Sequence, residues 1–197
     1  EIKASVTELV DSIYVKEGDQ INKGDVILRF RTNSSDYKIS YQGNRLNDYE
    51  AHLADLVFLA KGECPVAFRS STRRQEYSYF VKRKKEIETT MIQAEKEYLR
   101  NKTLFDRKVI SEEEYDKYCY QYQNQQNELA SFVESQLSTW QADLNTYMNS
   151  RDEMHATLRQ EIKDKDRYIV RSPISGTVDQ FSGIYRGSSI QAGQSLA

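Results

Sequence analysis

The chain has 197 residues, of which 38% are hydrophobic and 29% charged, with a formal net charge of -2. That polarity is too high for an ordinary compact globule of this length, yet 14 Tyr and 7 Phe in regular spacing argue against disorder. The near-neutral balance gives no reason to expect a nucleic-acid partner, and no run approaches the roughly 20 apolar residues that span a bilayer.

From the N-terminus, residues 1–32 read as short strands separated by glycine turns. Gly18, Ile21 and Gly24 form a G-x-x-I-x-x-G unit, followed by the apolar run Val26-Ile27-Leu28. Glycine suits the positive φ of tight turns, and the central Ile can plug a small β core. Asn33-Ser34-Ser35-Asp36 then offers helix N-caps. Ile39, Gln42, Leu46, Tyr49, Leu53, Leu56 and Ala60 alternate three- and four-residue steps, which is a heptad seam. Lys61-Gly62-Glu63-Cys64-Pro65 breaks it, because glycine ends helices well and proline cannot continue one. The seam resumes with Tyr77, Phe80, Lys84, Ile87, Met91, Ala94, Tyr98, Asn101 and Phe105. It returns through Tyr115, Tyr118, Tyr122, Leu129, Phe132, Leu137, Trp140, Leu144, Tyr147, Met154, Leu158 and Ile162. An eight-residue step between Leu129 and Leu137 replaces one heptad there.

These patterns predict helices over about residues 36–60, 71–108 and 112–167, with a tip near 105–112. A return helix of that length would measure about 80 Å. The two outgoing helices laid end to end match it, which favours an extended hairpin over a bundle folded at residue 62. Beyond it, residues 169–197 hold the turn Pro173-Ile174-Ser175-Gly176 and a second G-x-x-I-x-x-G at Gly187, Ile190 and Gly193. Both ends, Glu1–Val6 and Gln194–Ala197, read as strands, as expected of a fragment cut from a longer protein. The fold class expected is therefore α+β and mostly α, a long antiparallel coiled-coil hairpin (33–168) inserted between two β halves (1–32 and 169–197).

The two halves resemble a split lipoyl or biotinyl β domain. In such carriers a modified lysine occupies the hairpin between halves; here that stretch reads Arg29-Phe30-Arg31-Thr32-Asn33-Ser34-Ser35, without lysine, and no cofactor is expected. At the predicted tip, Arg100, Leu104 and Ser111 match R-x3-L-x6-S, the tip pattern of the HlyD-like periplasmic adaptor (membrane fusion) proteins. This resemblance implies an adaptor of a tripartite export or secretion system, with these residues contacting a TolC-like outer-membrane channel. It also implies an inner-membrane transporter, of the ABC type, as partner and a hexameric ring of copies. The implied place is the periplasm, with the parent protein anchored in the inner membrane of a Gram-negative bacterium. Arg100 offers a multi-donor guanidinium, and Leu104 and Ile110 offer apolar surface. Ser111 with Glu114 also fits a capping box, and Ile110 with Tyr115 a hydrophobic staple. A carrier domain with a helical insert, or a purely structural coiled coil, stay open as alternatives.

Other features point away from chemistry. Cys64 and Cys119 would lie roughly 50 Å apart along the hairpin, whereas a disulfide needs Cα atoms within about 7 Å. His52 and His155 have no ligand-spaced partners, so no metal site is expected. The basic run Arg69, Arg73, Arg74, Lys82, Arg83, Lys84 and Lys85 reads as a solvated coiled-coil face, with Lys84 snorkelling from the seam. No nucleophile–base pair, phosphate loop or paired acids emerge, and the chain reads as a binding protein, not an enzyme. Glu112, Glu113 and Glu114 fit a first helical turn, where negative charge complements the dipole.

Overall fold

A computed structural model describes residues 1–179 and 183–196. Ala197, the last residue of the expected terminal strand, lies outside the described residues. The chain divides into two compact units, Glu1–Leu46 with Asp152–Ala197, and Asn47–Arg151.

Among the described residues the first unit holds six short strands: β1 Glu8–Ile13, β2 Gln20–Ile21, β3 Val26–Phe30, β4 Ile169–Arg171, β5 Gly176–Thr177 and β6 Ser189–Ile190. They form a four-stranded sheet in the order β4-β3-β1-β6 and a two-stranded β2-β5 sheet, with every pairing antiparallel. Neither half could close alone, since β3 of the first half pairs with β4 and β1 pairs with β6 of the second. The core draws on both: Val10, Ile27, Leu28 and Phe30 meet Val170, Val178, Ile190 and Leu196. Each such fully buried side chain is worth about 1.5–3 kcal/mol.

The two halves repeat each other in detail. Gly18, Gly24, Gly187 and Gly193 all have positive φ, between 87° and 95°. Gly18 donates its N–H to the Val178 carbonyl and Gly187 to that of Val10, each at 2.8 Å; Gly24 donates to Ser172 and Gly193 to Ala4, again at 2.8 Å. Thr7 Oγ1 accepts from Ala192 N–H at 3.0 Å just as Ser175 Oγ accepts from Lys23 N–H at 2.9 Å. Ala4–Val10 is thus the counterpart of Ser172–Val178, an equivalence the sequence reading did not find.

The other described elements are three helices, α1 Asn33–Leu59, α2 Ser71–Asp106 and α3 Glu112–Lys165, and a 3-10 turn at Asp166–Tyr168. α1 begins three residues before the expected start because Thr32 serves as its cap, with Asp36 N–H reaching the Thr32 carbonyl at 2.8 Å. In the first unit Lys165 closes on Asp36 at 2.6 Å.

Within the second unit α3 runs antiparallel to α1 and then to α2. Along α3, Tyr147 meets Tyr49 and His52 of α1, Trp140 meets Tyr77 and Phe80 of α2, and Tyr122 and Tyr115 meet Tyr98. The end of α1 and the start of α2 share one core with α3, built on Leu56, Leu59, Ala60, Phe80 and Trp140. Phe132, Val133 and Leu137 all pack against that core. The expected eight-residue step therefore falls where α3 serves two partner helices, and the stripe widens there to two side chains per turn.

Two seam and surface expectations fail. Ile162 is 51% exposed; instead of joining a seam it lines an open cleft of about 450 Å³ with Arg29, Phe30 and Lys165. Arg73, read as part of a solvated basic face, is 4% exposed, because it is neutralised by groups on α2 and α3.

Candidate functional site

The α2–α3 connection, residues 107–111, is closed by local backbone chemistry. Val109 N–H bonds the Leu104 carbonyl at 2.9 Å and Lys108 N–H that of Phe105 at 2.8 Å, a Schellman pair. The residue that must take the left-handed conformation there is Lys108, at φ 57°, the only described non-glycine residue with positive φ. At the corresponding end of α1 the same pair of bonds uses Gly62, at φ 78°. Ser111 caps α3, its Oγ accepting Glu114 N–H at 3.2 Å. Among the described residues the Glu114 side chain makes no bond back, so only half of the capping box forms.

The structure brings Leu104, Ile110 and Ser111 together around this turn, with Arg100 one helical turn ahead of Leu104 on α2. Arg100 and Ser111 are exposed, and Leu104 and Ile110 half-buried. Leu99 and Val109, not singled out from the sequence, are 52% and 65% exposed. The Tyr115 ring stacks on Phe105, centroids 4.7 Å apart and planes 10° apart. Its hydroxyl donates to Tyr98 at 3.4 Å, and that bond, with burial and the neighbouring Tyr98 adding to it, pushes the Tyr115 pKa up to about 12. The turn therefore stands on a rigid aromatic stack while leaving aliphatic and cationic groups facing outward.

Solved structures that share this architecture include three of adaptor or membrane fusion proteins. The soluble domain of LipC, a membrane fusion protein of a type I secretion system, matches at TM-score 0.57 and 13% identity, over 99% of this chain and 96% of that one. The periplasmic adaptor protein EmrA matches at TM-score 0.54 and 13% identity, over 99% of this chain and 69% of that one. MacA from Actinobacillus actinomycetemcomitans matches at TM-score 0.51 and 16% identity, over 97% of this chain and 44% of that one. The fold is that of the periplasmic adaptor, or membrane fusion, proteins. No protein-family model and no curated protein sequence matches the chain. Within the adaptor fold, no described helix is long and apolar enough to cross a membrane, and no group of three or more described His, Cys, Asp or Glu side chains could hold a metal.

A second cluster in the adaptor fold escaped the sequence reading. At the α1–α2 break Asp55, 1% exposed, accepts Arg69 N–H at 3.0 and 3.2 Å and Ser70 N–H at 2.8 Å. A side chain of α1 thereby supplies partners for the otherwise orphaned donors that open α2. Ser70 is itself the N-cap, its Oγ accepting Arg73 N–H at 3.4 Å. Arg73 Nη1 donates to Glu76 and to Asp143 of α3, both at 2.7 Å, and its guanidinium lies 5.2 Å over the Tyr147 ring. Burial opposes the Arg73 charge, but the bonds to Glu76 and Asp143 outweigh it and raise its pKa. The signal was available: Arg73 lies four residues before Tyr77, in phase with the seam.

Proposed function

We propose that this chain is the hairpin-bearing part of a periplasmic adaptor in a tripartite export or secretion system. In this reading residues 33–168 are the hairpin and 1–32 with 169–197 its lipoyl-like base. The α2–α3 connection docks onto a TolC-like outer-membrane channel through Arg100, Leu104, Ile110 and Ser111. The parent protein is anchored in the inner membrane of a Gram-negative bacterium, beside a transporter of the ABC type. Copies assemble as a hexameric ring, so that several weak tip contacts act together.

The observation that carries the reading is the surface of the connection. Leu104 and Ile110 stay half-buried and Val109 is 65% exposed, beside an exposed guanidinium, on a turn that is capped on both sides by its own residues. A rigid, preorganised turn loses little entropy on docking, and apolar groups left at its surface gain from being covered. Likeness to adaptor structures supports the same role.

The test is substitution in the full-length protein. Leu104→Asp and Arg100→Asp should each abolish export by the parent system while leaving protein level and helix content unchanged. Export that persists undiminished in both variants would contradict tip docking.

A further inference from the structure

The α1–α2 joint holds a group that the packing alone does not require. His52 of α1 sits with Nδ1 3.3 Å from Ser70 Oγ and its ring 4.9 Å from that of Tyr147. Ser70 Oγ already accepts the Arg73 N–H that opens α2. With a neutral imidazole accepting at Nδ1, the single Ser70 hydroxyl proton has a partner and the oxygen keeps its lone pairs for Arg73. A proton on Nδ1 reverses this arrangement. Two N–H groups then converge on one hydroxyl oxygen, the hydroxyl proton loses its acceptor, and an imidazolium stands beside the buried Arg73 guanidinium.

Charged groups face His52 from α1 and α2, and an aromatic ring faces it from α3. On α1, Asp48 and Asp55 favour a proton, and on α2 Glu76 favours it while Arg73 opposes it. From α3 come Tyr147, on which the ring lies, and Asp143, which is engaged by Arg73. Asp55 is engaged with two backbone N–H groups and Glu76 with Arg73, and the three acids together do not outweigh burial and Arg73. Burial first, and Arg73 second, hold the His52 pKa below its ordinary 6.5.

We propose that the α1–α2 joint is a proton-sensitive latch, closed while His52 is neutral and loosened at the first turn of α2 when His52 takes a proton. The direction follows from linkage. The closed joint binds the proton less well than the open one, so its stability is complete above about pH 6.5 and declines as pH falls below that value. The consequence is an arm that stiffens at neutral pH and yields at its break in acid, a property independent of any partner at the α2–α3 turn.

The experiment is an NMR titration of the 197-residue chain between about pH 8 and pH 5, the range in which histidine switches. The His52 ring should titrate with its midpoint below 6.5. The Ser71–Arg73 amides should lose hydrogen-exchange protection, corrected for intrinsic rates, with that same midpoint. In His52→Gln the pH dependence of those amides should vanish. Protection that stays flat while His52 titrates, or a loss that persists unchanged in His52→Gln, would overturn the latch. If the variant fails to fold, coincidence of the two midpoints in the unaltered chain still decides the matter.

Discussion

Replacing Asp55 removes a buried, charged tie between α1 and the start of α2. Its carboxylate, 1% exposed, serves two backbone donors, Arg69 at 3.0 and 3.2 Å and Ser70 at 2.8 Å. Hydrogen bonds to charged groups contribute about 1.5–3 kcal/mol each, so two would give about 3–6 kcal/mol. The freed N–H groups border an open cleft lined by His52, Arg69 and Ser70, where water can take up part of the loss. Asp55→Ala should therefore cost about 3 kcal/mol, near the lower bound. Asp55→Asn keeps one acceptor oxygen and turns an amide donor toward the other N–H, and should cost about half to two-thirds as much. Urea unfolding followed by helical circular dichroism gives the free energy. Fluorescence of Trp140, the chain's single tryptophan and 1% exposed in the core beside the joint, reports the same region. A value for Asp55→Ala within about 0.5 kcal/mol of the parent, with Trp140 emission unchanged, would refute the assignment of Asp55 as the tie.

Gly18→Ala and Gly187→Ala should each cost about 1–2 kcal/mol, and nearly equally. Both sit at φ near +91° to +93° with open space around the missing Cβ, so thermal unfolding would read backbone strain alone. Lys108→Gly should stabilise the chain by about 1 kcal/mol, because it relieves the φ of 57° at the α2 end; a loss of stability in denaturant titration would show that the lysine side chain contributes there. Tyr98→Phe should bring the Tyr115 pKa from about 12 back toward 10.0, read by NMR of the Tyr115 ring. Stability contributed by that bond is complete below about pH 10 and is lost as pH rises through about 12.

The parts of this fold that were legible in the sequence are those written in local chemistry. Gly18, Gly24, Gly187 and Gly193 announce positive-φ turns, and the heptad steps through Leu46, Leu53, Leu56, Phe80, Ile87 and Ala94 mark residues that are buried. What stayed hidden depends on distant partners. Ala4–Val10 matches Ser172–Val178 through backbone hydrogen bonds, with few side chains in common. Arg73 is compatible with burial because Glu76 and, from 70 residues away, Asp143 both meet it, and charge read along α2 alone does not show the second partner. The residues proposed for docking follow a pattern, but Leu99 and Val109 are more exposed than Leu104 or Ile110 and belong to none. The exposure of Val109 follows from how the turn is capped, whereas Leu99 lies off the α2 seam, one residue past Tyr98.

The most direct trial of the account is site-specific photo-crosslinking in living cells. A photoreactive residue at Val109, 65% exposed in the α2–α3 connection, is compared with one at Ile92, 45% exposed on the flank of α2. Crosslinks to an outer-membrane channel protein from Val109, and none from Ile92, are the predicted result. No channel adduct from Val109 at normal protein level, or equal adducts from both positions, would contradict docking through the turn.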